Sequence, residues 1–308
     1  LIHAGNLKEQ IEHAGDIGIM TTGLSIDIGK LMAWKTKVVE RLRKGVATVL
    51  SQNKIEVVTG TAYLTGERSF TVETEHGVRR FEFESCILAT GSSPAQLPGM
   101  PHDGELIIDS TDALALKEIP ERMVVVGAGS VGLELGMVYA KLGSKVTMLA
   151  PHDKILRGLD SQIVPIIRKS LDRHGIELVF SARPTSVRRS NGTAELLVST
   201  PEGEKSFPVD RVLVAIGRRP NTSDLGLDKI GVQLDERGFV QVDARMQTSV
   251  HGMYAIGDIV AGPMLAHRAS FQGKVAAEVI AGEPSAYEGV EVPGVIFTDP
   301  EIATVGLS

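Results

Sequence analysis

The sequence holds one cysteine, Cys86, in 308 residues. A single thiol excludes an intramolecular disulfide and any metal cage built from several cysteines. Basic charge is scarce too: 32 Lys and Arg against 38 Asp and Glu leave a formal charge of -6. Broad binding to nucleic acid or to an anionic membrane needs a basic face, so neither partner is expected. Long apolar runs are also missing. The longest apolar stretch, 123–142, is broken by glycines and by Glu134, and a stretch so interrupted does not form a spanning helix. No charged-then-apolar leader opens the chain, so a cytoplasmic location is expected, or the mitochondrial matrix if the source is eukaryotic. The first residue is Leu1 rather than Met, which points to a fragment or a processed product.

What is present is length for about two domains, with 43% of residues hydrophobic. The first fifty residues read as helix. Leu31, Val38, Leu42, Val46, Val49 and Leu50 fall on a stripe of near-helical period, with Asp27 as a plausible N-cap. From Ile55 the period shortens, and 56–64, 69–73, 78–83 and 86–90 read as a small antiparallel meander. A connector bearing Pro94, Pro98 and Pro101 follows, then a strand around 106–108. From Met123 strands and helices alternate. Strands are expected at 123–126, 146–149 and 177–180, with helices at 131–142 and 161–174 closed by Gly143 and Gly175. Such alternation implies a parallel sheet with crossover helices.

Between the strand at 123–126 and its helix stands Gly127-Ala128-Gly129-Ser130-Val131-Gly132. In that context Gly127 allows a tight turn, Gly129 lets a pyrophosphate approach the backbone, and Gly132 lets the helix pack closely on the strand. The helix N-terminus adds amide donors for phosphates. The residue that should read the adenosine ribose, about 20 positions on, is Ala150, which carries no carboxylate for a 2′-hydroxyl. His152, Lys154 and Arg157 could hold a 2′-phosphate instead, or form an ordinary solvated loop, so NAD and NADP both stay open.

An internal echo accompanies this fingerprint. Residues 213–220 repeat the plan of 87–94: an apolar pair, alanine, a β-branched residue, glycine, two polar residues and proline. They read as equivalent turns in two related nucleotide-binding domains, with Ala89, Thr90 and Gly91 matching Ala215, Ile216 and Gly217. Carrying the spacing between Gly127 and Gly217 back from Gly91 puts a partner fingerprint at or before the start of the chain. A further strand end, Tyr254-Ala255-Ile256-Gly257-Asp258, offers a carboxylate that can accept hydrogen bonds from a polyol. Met264-Leu265-Ala266-His267 then opens a helix running to Ile280. Cys86 lies in an apolar strand, where a buried small hydrophobe is the usual role.

Together, the Ala-Thr-Gly of 89–91, GxGxxGLELG of 127–136, AIGRRPN of 215–221, AIGD of 255–258 and MLAH of 264–267 closely resemble the class I flavoprotein disulfide reductases, or pyridine nucleotide-disulfide oxidoreductases. The segments 109–114 and 257–269 look most like the dihydrolipoyl dehydrogenase branch. The resemblance implies an α/β fold of two Rossmann-like domains, each with an antiparallel β meander, in which an NAD(P) domain is inserted into a split FAD domain. The implied boundaries are 1–115 for the first FAD segment, 116–246 for the NAD(P) domain, 247–288 for the second FAD segment and 289–308 for the start of an interface domain. FAD would meet Gly60, Ala62, Ala89, Thr90, Gly91, Gly257, Asp258, Met264, Leu265, Ala266 and His267. NAD, or NADP, would meet Gly127, Ala128, Gly129, Ser130, Val131, Gly132, Ala150, Arg157, Ala215 and Gly217, and Glu134 would sit near the flavin as the catalytic candidate.

The same resemblance implies oxidation of the dihydrolipoyl group of a 2-oxo acid dehydrogenase complex through a cysteine pair and FAD, in a homodimer. That pair and the His-Glu base of the interface domain are absent from the sequence. Members of the dihydrolipoyl dehydrogenase branch usually carry Glu where Ala150 stands. Mercuric or glutathione reductases, a pyridine nucleotide transhydrogenase, and a nucleotide-binding module without disulfide chemistry are the alternatives.

Overall fold

The computed structural model describes residues 1–190 and 192–306. The chain divides into two compact units, one made of Leu1–Gly45, Pro94–Gly217 and Gly294–Ser308, the other of Val46–Ser93 and Arg218–Pro293. Among the described residues no helix is long and apolar enough to cross a membrane.

In the first unit Ile107–Ile108, Arg122–Val126, Lys145–Leu149, Glu177–Val179 and Arg211–Val214 form one sheet in which every pairing is parallel. Arg122–Val126 lies between Arg211–Val214 and Lys145–Leu149. Its core run is apolar at every position because both faces are covered. The two-residue period of a strand decides which residue faces which layer. Met123 and Val125 pack with Leu133, Met137, Ile167 and Leu171 from the helices Ser130–Leu142 and Ile163–Arg173. Val124 and Val126 pack instead with Leu196, Val198 and Val209 of the antiparallel meander Arg183–Ser190, Thr193–Thr200 and Gly203–Val209. Each such side chain, fully buried, contributes about 1.5–3 kcal/mol.

The second unit repeats this plan on a smaller scale. Its meander is Thr61–Gly66, Ser69–Thr74 and Gly77–Glu82, and its parallel pair joins Met253–Ala255 to Cys86–Leu88. Met253 and Ala255 face a core with Leu64, Leu227 and Ile259. Tyr254 faces the helix Ala266–Ile280 through Val275, Ala276 and Val279.

The N-terminal region departs from the expected continuous helix. Ile2–Glu12 is helical, a 3-10 turn covers Ala14–Ile17, and Gly18, in the left-handed conformation with φ 86°, ends it. Helix resumes at Ile28–Gln52, where Asp27 Oδ1 accepts the Lys30 amide at 2.9 Å, as an N-cap should. The first expected strand is also shorter: it starts at Thr61, because a Cβ on Gly60 would lie 2.2 Å from the Glu73 carbonyl oxygen, so the backbones meet there at a distance only glycine tolerates. The helix expected at 161–174 begins at Ile163, with Asp160 Oδ1 taking the Gln162 amide ahead of it.

A buried ion network ties the ends of the first unit together. Lys141, with only 4% of its side chain exposed, bonds Glu9 at 2.7 Å and Asp299 at 2.5 Å. Its ammonium also donates to Asn6 Oδ1 at 2.7 Å. His174 Nε2 meets Glu9 Oε1 at 2.9 Å, and the Ser170 hydroxyl donates to the Asp299 carbonyl. Burial pushes the Glu9 carboxyl up, but the Lys141 bond and the neighbouring positive charges outweigh it and hold the group below its ordinary range. The Lys141 bond is the main cause that lowers Asp299.

Carboxylates with lowered folded pKa values stabilise the fold above their unfolded pKa, and the contribution is lost as pH falls through the lowered values. Stability is therefore expected to fall below about pH 4, the unfolded carboxylate range. Asp299→Asn should flatten that part of the profile, as read from melting midpoints across pH.

Candidate functional site

The chemistry-bearing turns of the first unit all stand at the C-terminal ends of parallel strands. This is where open α/β sheets bind ligands, at the point where strand order reverses. After Arg122–Val126 the chain returns through Lys145–Leu149 on one side, while Arg211–Val214 lies on the other. The Gly127 and Ala215 turns flank that reversal.

Each fingerprint glycine has a different physical reason. Gly127 has φ 114°, and a Cβ there would lie 2.3 Å from the Ala215 carbonyl oxygen. At Gly132 a Cβ would lie 2.1 Å from the Gly127 carbonyl oxygen, so only glycine lets the helix close onto the turn. Gly129 is extended, φ -86° and ψ -175°, and its Cβ would meet nothing within 4 Å. No protein atom demands glycine at 129. The demand fits a group lying over the turn, and a Cβ would fill the cradle such a group needs.

The helix N-terminus completes the cradle. Its N-cap, Gly129, has no side chain to cap the first amides, and Ser130 and Val131 are exposed while Ala128 is buried. Uncapped amides at a helix N-terminus are ready donors for an anion. Ala215 donates its amide to Val126 at 2.8 Å, and Gly217, with φ 121°, accepts from Ala95 at 3.0 Å. Ala150 is fully buried, donating to Val179 and accepting from Ala182. The following loop bends back so that the Leu156 amide donates to the Ala128 carbonyl at 3.0 Å, which sets Arg157 beside the glycine turn. Glu134, four residues along that helix from Ser130, is half-buried and accepts the Phe297 amide at 3.0 Å; burial pushes its carboxyl up.

In the second unit the turns after Cys86–Leu88 and Met253–Ala255 lie side by side because those strands pair in register, Leu88 opposite Ala255. The Ile256 amide donates to the Leu88 carbonyl at 3.0 Å. Ala89 and Thr90 are exposed, and Gly91 turns with φ 71°. Asp258 accepts the Ser92 hydroxyl at 2.5 Å. The Gly257 amide is held by Gln272 Oε1 at 2.8 Å, which fixes the turn against the helix Ala266–Ile280.

Met264 and Leu265 precede that helix, and Leu265, in extended conformation, leaves its first amides without a side-chain cap. His267 Nε2 meets the Pro293 carbonyl at 2.7 Å, so it acts as a donor there. Gly60 and Ala62 lie at the start of the meander, away from these turns in sequence, with Ala62 opposite Val72.

Three residues that lie within the quoted motifs but were given no site role there, Asn221, Arg218 and Ser92, hold this second site. Asn221 accepts the Thr90 hydroxyl through its carbonyl at 2.7 Å, donates Nδ2 to the Thr90 carbonyl at 3.0 Å, and takes the Ser93 hydroxyl on Oδ1 at 2.7 Å. Arg218 donates Nε to the Ser92 hydroxyl at 2.6 Å. Ser92 thus links Arg218 to Asp258. All three fall in the paired motifs 87–94 and 215–221, but the partners they take do not follow from either motif.

These geometries coincide with a known family. The model of the pyridine nucleotide-disulphide oxidoreductases matches residues 3–273. The chain belongs to this family. It is 42% identical over 306 residues to the dihydrolipoyl dehydrogenase of Geobacillus stearothermophilus, and 40% identical over 307 residues to that of Bacillus subtilis. In both comparisons 99% of the chain is covered and 65% of the relative. The crystal structure of LpdA from Mycobacterium tuberculosis matches with a TM-score of 0.91 at 28% identity, over 99% of the chain and 67% of that structure. The chain thus spans about two thirds of the length of the oxidoreductases it matches.

Cys86, the one thiol of this family member, is half-buried in a strand, and burial pushes its pKa up. A protonated strand thiol is a poor nucleophile. Cys86→Ala is expected to change nicotinamide dinucleotide affinity by less than about twofold, the scale of a mild substitution, in a fluorescence titration.

Proposed function

We propose that the chain is the nucleotide-binding core of a flavin-dependent oxidoreductase of the dihydrolipoyl dehydrogenase kind. The observation that carries the reading is the glycine turn, where Gly127 and Gly132 are demanded by the protein's own backbone while the space over Gly129 is open, as a bound pyrophosphate would need. The uncapped amides of Ser130–Leu142 would hold a pyrophosphate, with Ala215 and Gly217 beside it. In the second unit Ala89, Thr90, Gly91, Gly257, Asp258 and the segment Met264 to His267 would hold FAD, Asp258 being aligned by Ser92 to accept a polyol hydroxyl.

Support for a split FAD domain comes from the strand Met253–Ala255. It pairs in parallel with Cys86–Leu88, although the strands of the five-stranded sheet lie between the two in sequence. The proposed segments are 1–115 and 247–288 for FAD and 116–246 for the nicotinamide dinucleotide, with 289–308 opening an interface domain.

Flavin and nicotinamide supply two-electron hydride chemistry when bound. The chain's residues bind and orient them. Glu134, whose carboxyl is pushed up by burial while it accepts the Phe297 amide, would be the ionisable group of this unit near the flavin. In the whole protein the substrate would be a dihydrolipoyl group, oxidised by way of a cysteine pair in a homodimer. With Cys86 as its one cysteine, the 308-residue chain alone is expected to show no lipoamide turnover. Measurable turnover in a lipoamide-linked assay would overturn that. Calorimetric titration with a nicotinamide dinucleotide tests the binding reading, which expects saturable one-to-one binding; no heat of binding at millimolar ligand would refute it.

A further inference from the structure

We propose that a cavity in the second unit, between the helix Ala266–Ile280 and the segment 235–246, binds a small organic carboxylate with an apolar body. The inference stands on the groups that line this cavity and depends on neither dinucleotide reading.

Arg268 and Gln272 stand four positions apart on that helix, which places them one turn apart on the same face. Both line the cavity, whose volume is about 490 Å3, and both are buried, with 5% and 0% of their surface exposed. Gln272 Oε1 accepts the Gly257 amide at 2.8 Å. That bond fixes which end of the side-chain amide points away, and the Nε2 group left over is buried with no partner. The loop before the helix wraps the Arg268 guanidinium. Nη1 donates to the Val260 and Pro263 carbonyls at 3.3 and 3.1 Å, and Nη2 donates to the Ala261 carbonyl at 2.5 Å. All three acceptors are neutral, and among the described residues no carboxylate pairs with this buried charge. A buried cation without a counter-charge and a buried donor without an acceptor are each costly. Here they share one cavity, and an anion that accepts from both relieves both.

The rest of the lining narrows the anion. Phe239, Val240, Met246 and Val260 are buried and form an apolar wall, which suits a ligand with an apolar body. Tyr287 closes one side, its amide donating to the Ala244 carbonyl at 2.7 Å. Two carboxylates also line the cavity, Asp235 and the exposed Asp243. Each is engaged by two amides of its own turn, Asp235 by Arg237 and Phe239, Asp243 by Arg245 and Gln247. They leave Arg268 unpaired but oppose a second negative charge in the cavity, so a monoanion is favoured over a phosphate or a dicarboxylate. The volume falls in the usual range for small-ligand sites, roughly 300–1,000 Å3. It far exceeds the roughly 30 Å3 of a single water.

The test is calorimetric titration of the 308-residue chain with hexanoate, and with hexanamide and adipate as its uncharged and doubly charged counterparts. The inference expects saturable one-to-one binding of hexanoate with a Kd of about 1 mM or tighter, and binding of the other two at least about tenfold weaker, the worth of one charge-assisted contact. Gln272→Glu keeps an acceptor for the Gly257 amide and gives Arg268 a counter-charge, so it should weaken hexanoate binding at least about tenfold. Ala244→Phe fills the cavity from its half-buried side and should do the same without altering either donor. Cooperative urea unfolding identifies the variants that are folded; should Gln272→Glu not be, Ala244→Phe decides. No saturation by about 10 mM hexanoate, hexanamide or adipate binding as tightly as hexanoate, or wild-type affinity in a folded variant overturns the inference. Each of these results leaves the dinucleotide readings standing.

Discussion

Lys141→Met is expected to be among the most destabilising single substitutions in the first unit, costing about 3 kcal/mol. The ammonium is almost fully buried and is shared by Glu9, Asp299 and Asn6, which come from the helix Ile2–Glu12 and from the segment preceding Ile302–Thr304. Methionine matches the volume and leaves two carboxylates facing each other with only His174 between them. The cost is therefore that of stranded like charges, and it has a signature that packing loss lacks. Adding Glu9→Gln to Lys141→Met should recover part of the loss, whereas Glu9→Gln alone should destabilise. A double-mutant cycle from urea unfolding measures this. Additive effects would show that the network carries no coupling. The same cluster of Glu9, His174 and Asp299 has ligand atoms within 4.8 Å of one another, as a metal site would, but Lys141 already supplies the cation.

Gly132→Ala should act through the backbone instead. Its Cβ would stand 2.1 Å from the Gly127 carbonyl oxygen, and a carbonyl cannot swing aside as a side chain can. The helix Ser130–Leu142 must lift from its strand, which strains the packing of Leu133 and Met137 against Val125. Overpacking of this kind costs about 3 kcal/mol and should lower the melting midpoint by about 6–12 °C. Nicotinamide dinucleotide binding should be lost with it, since the donors ride on that helix. Gly129→Ala is the control that separates folding from binding: its extended backbone and open surroundings accept a methyl, so stability should hold or rise by about 0.5 kcal/mol. Its dinucleotide affinity should nonetheless fall.

Local periodicity made the core of the first unit legible. The run Met123 to Val126 reads as a strand buried on both faces, and its two sides do meet different layers. The fingerprint was legible because Gly127 and Gly132 answer to backbone geometry within five residues or across one strand pair, and Gly129 stands at the fixed spacing between them. The echo between 87–94 and 213–220 was legible for the same reason: both copies end a parallel strand and turn at a glycine with positive φ.

What escaped the sequence is long-range. Asn221 grips the Thr90 turn, and Ser92 aligns Asp258, across separations that no local pattern encodes. Lys141 lies in a helix whose other inward positions are apolar, so nothing in its neighbours announces a buried charge. The stretch between Gly18 and Asp27 breaks the helix expected over the first fifty residues because Gly18, in the left-handed conformation, ends the 3-10 turn that follows the first helix.

The central claim is that a nicotinamide dinucleotide lies across the Gly127 turn with its phosphates on the helix N-terminus. Amide hydrogen exchange with and without saturating NADH or NADPH tests it most directly, segment by segment. The account predicts slowed exchange at 127–132, 150–157 and 215–217, with the meander at 183–209 unchanged, and loss of that protection in Gly129→Ala. Protection confined to other segments, or none at these three under conditions of saturation, would contradict it.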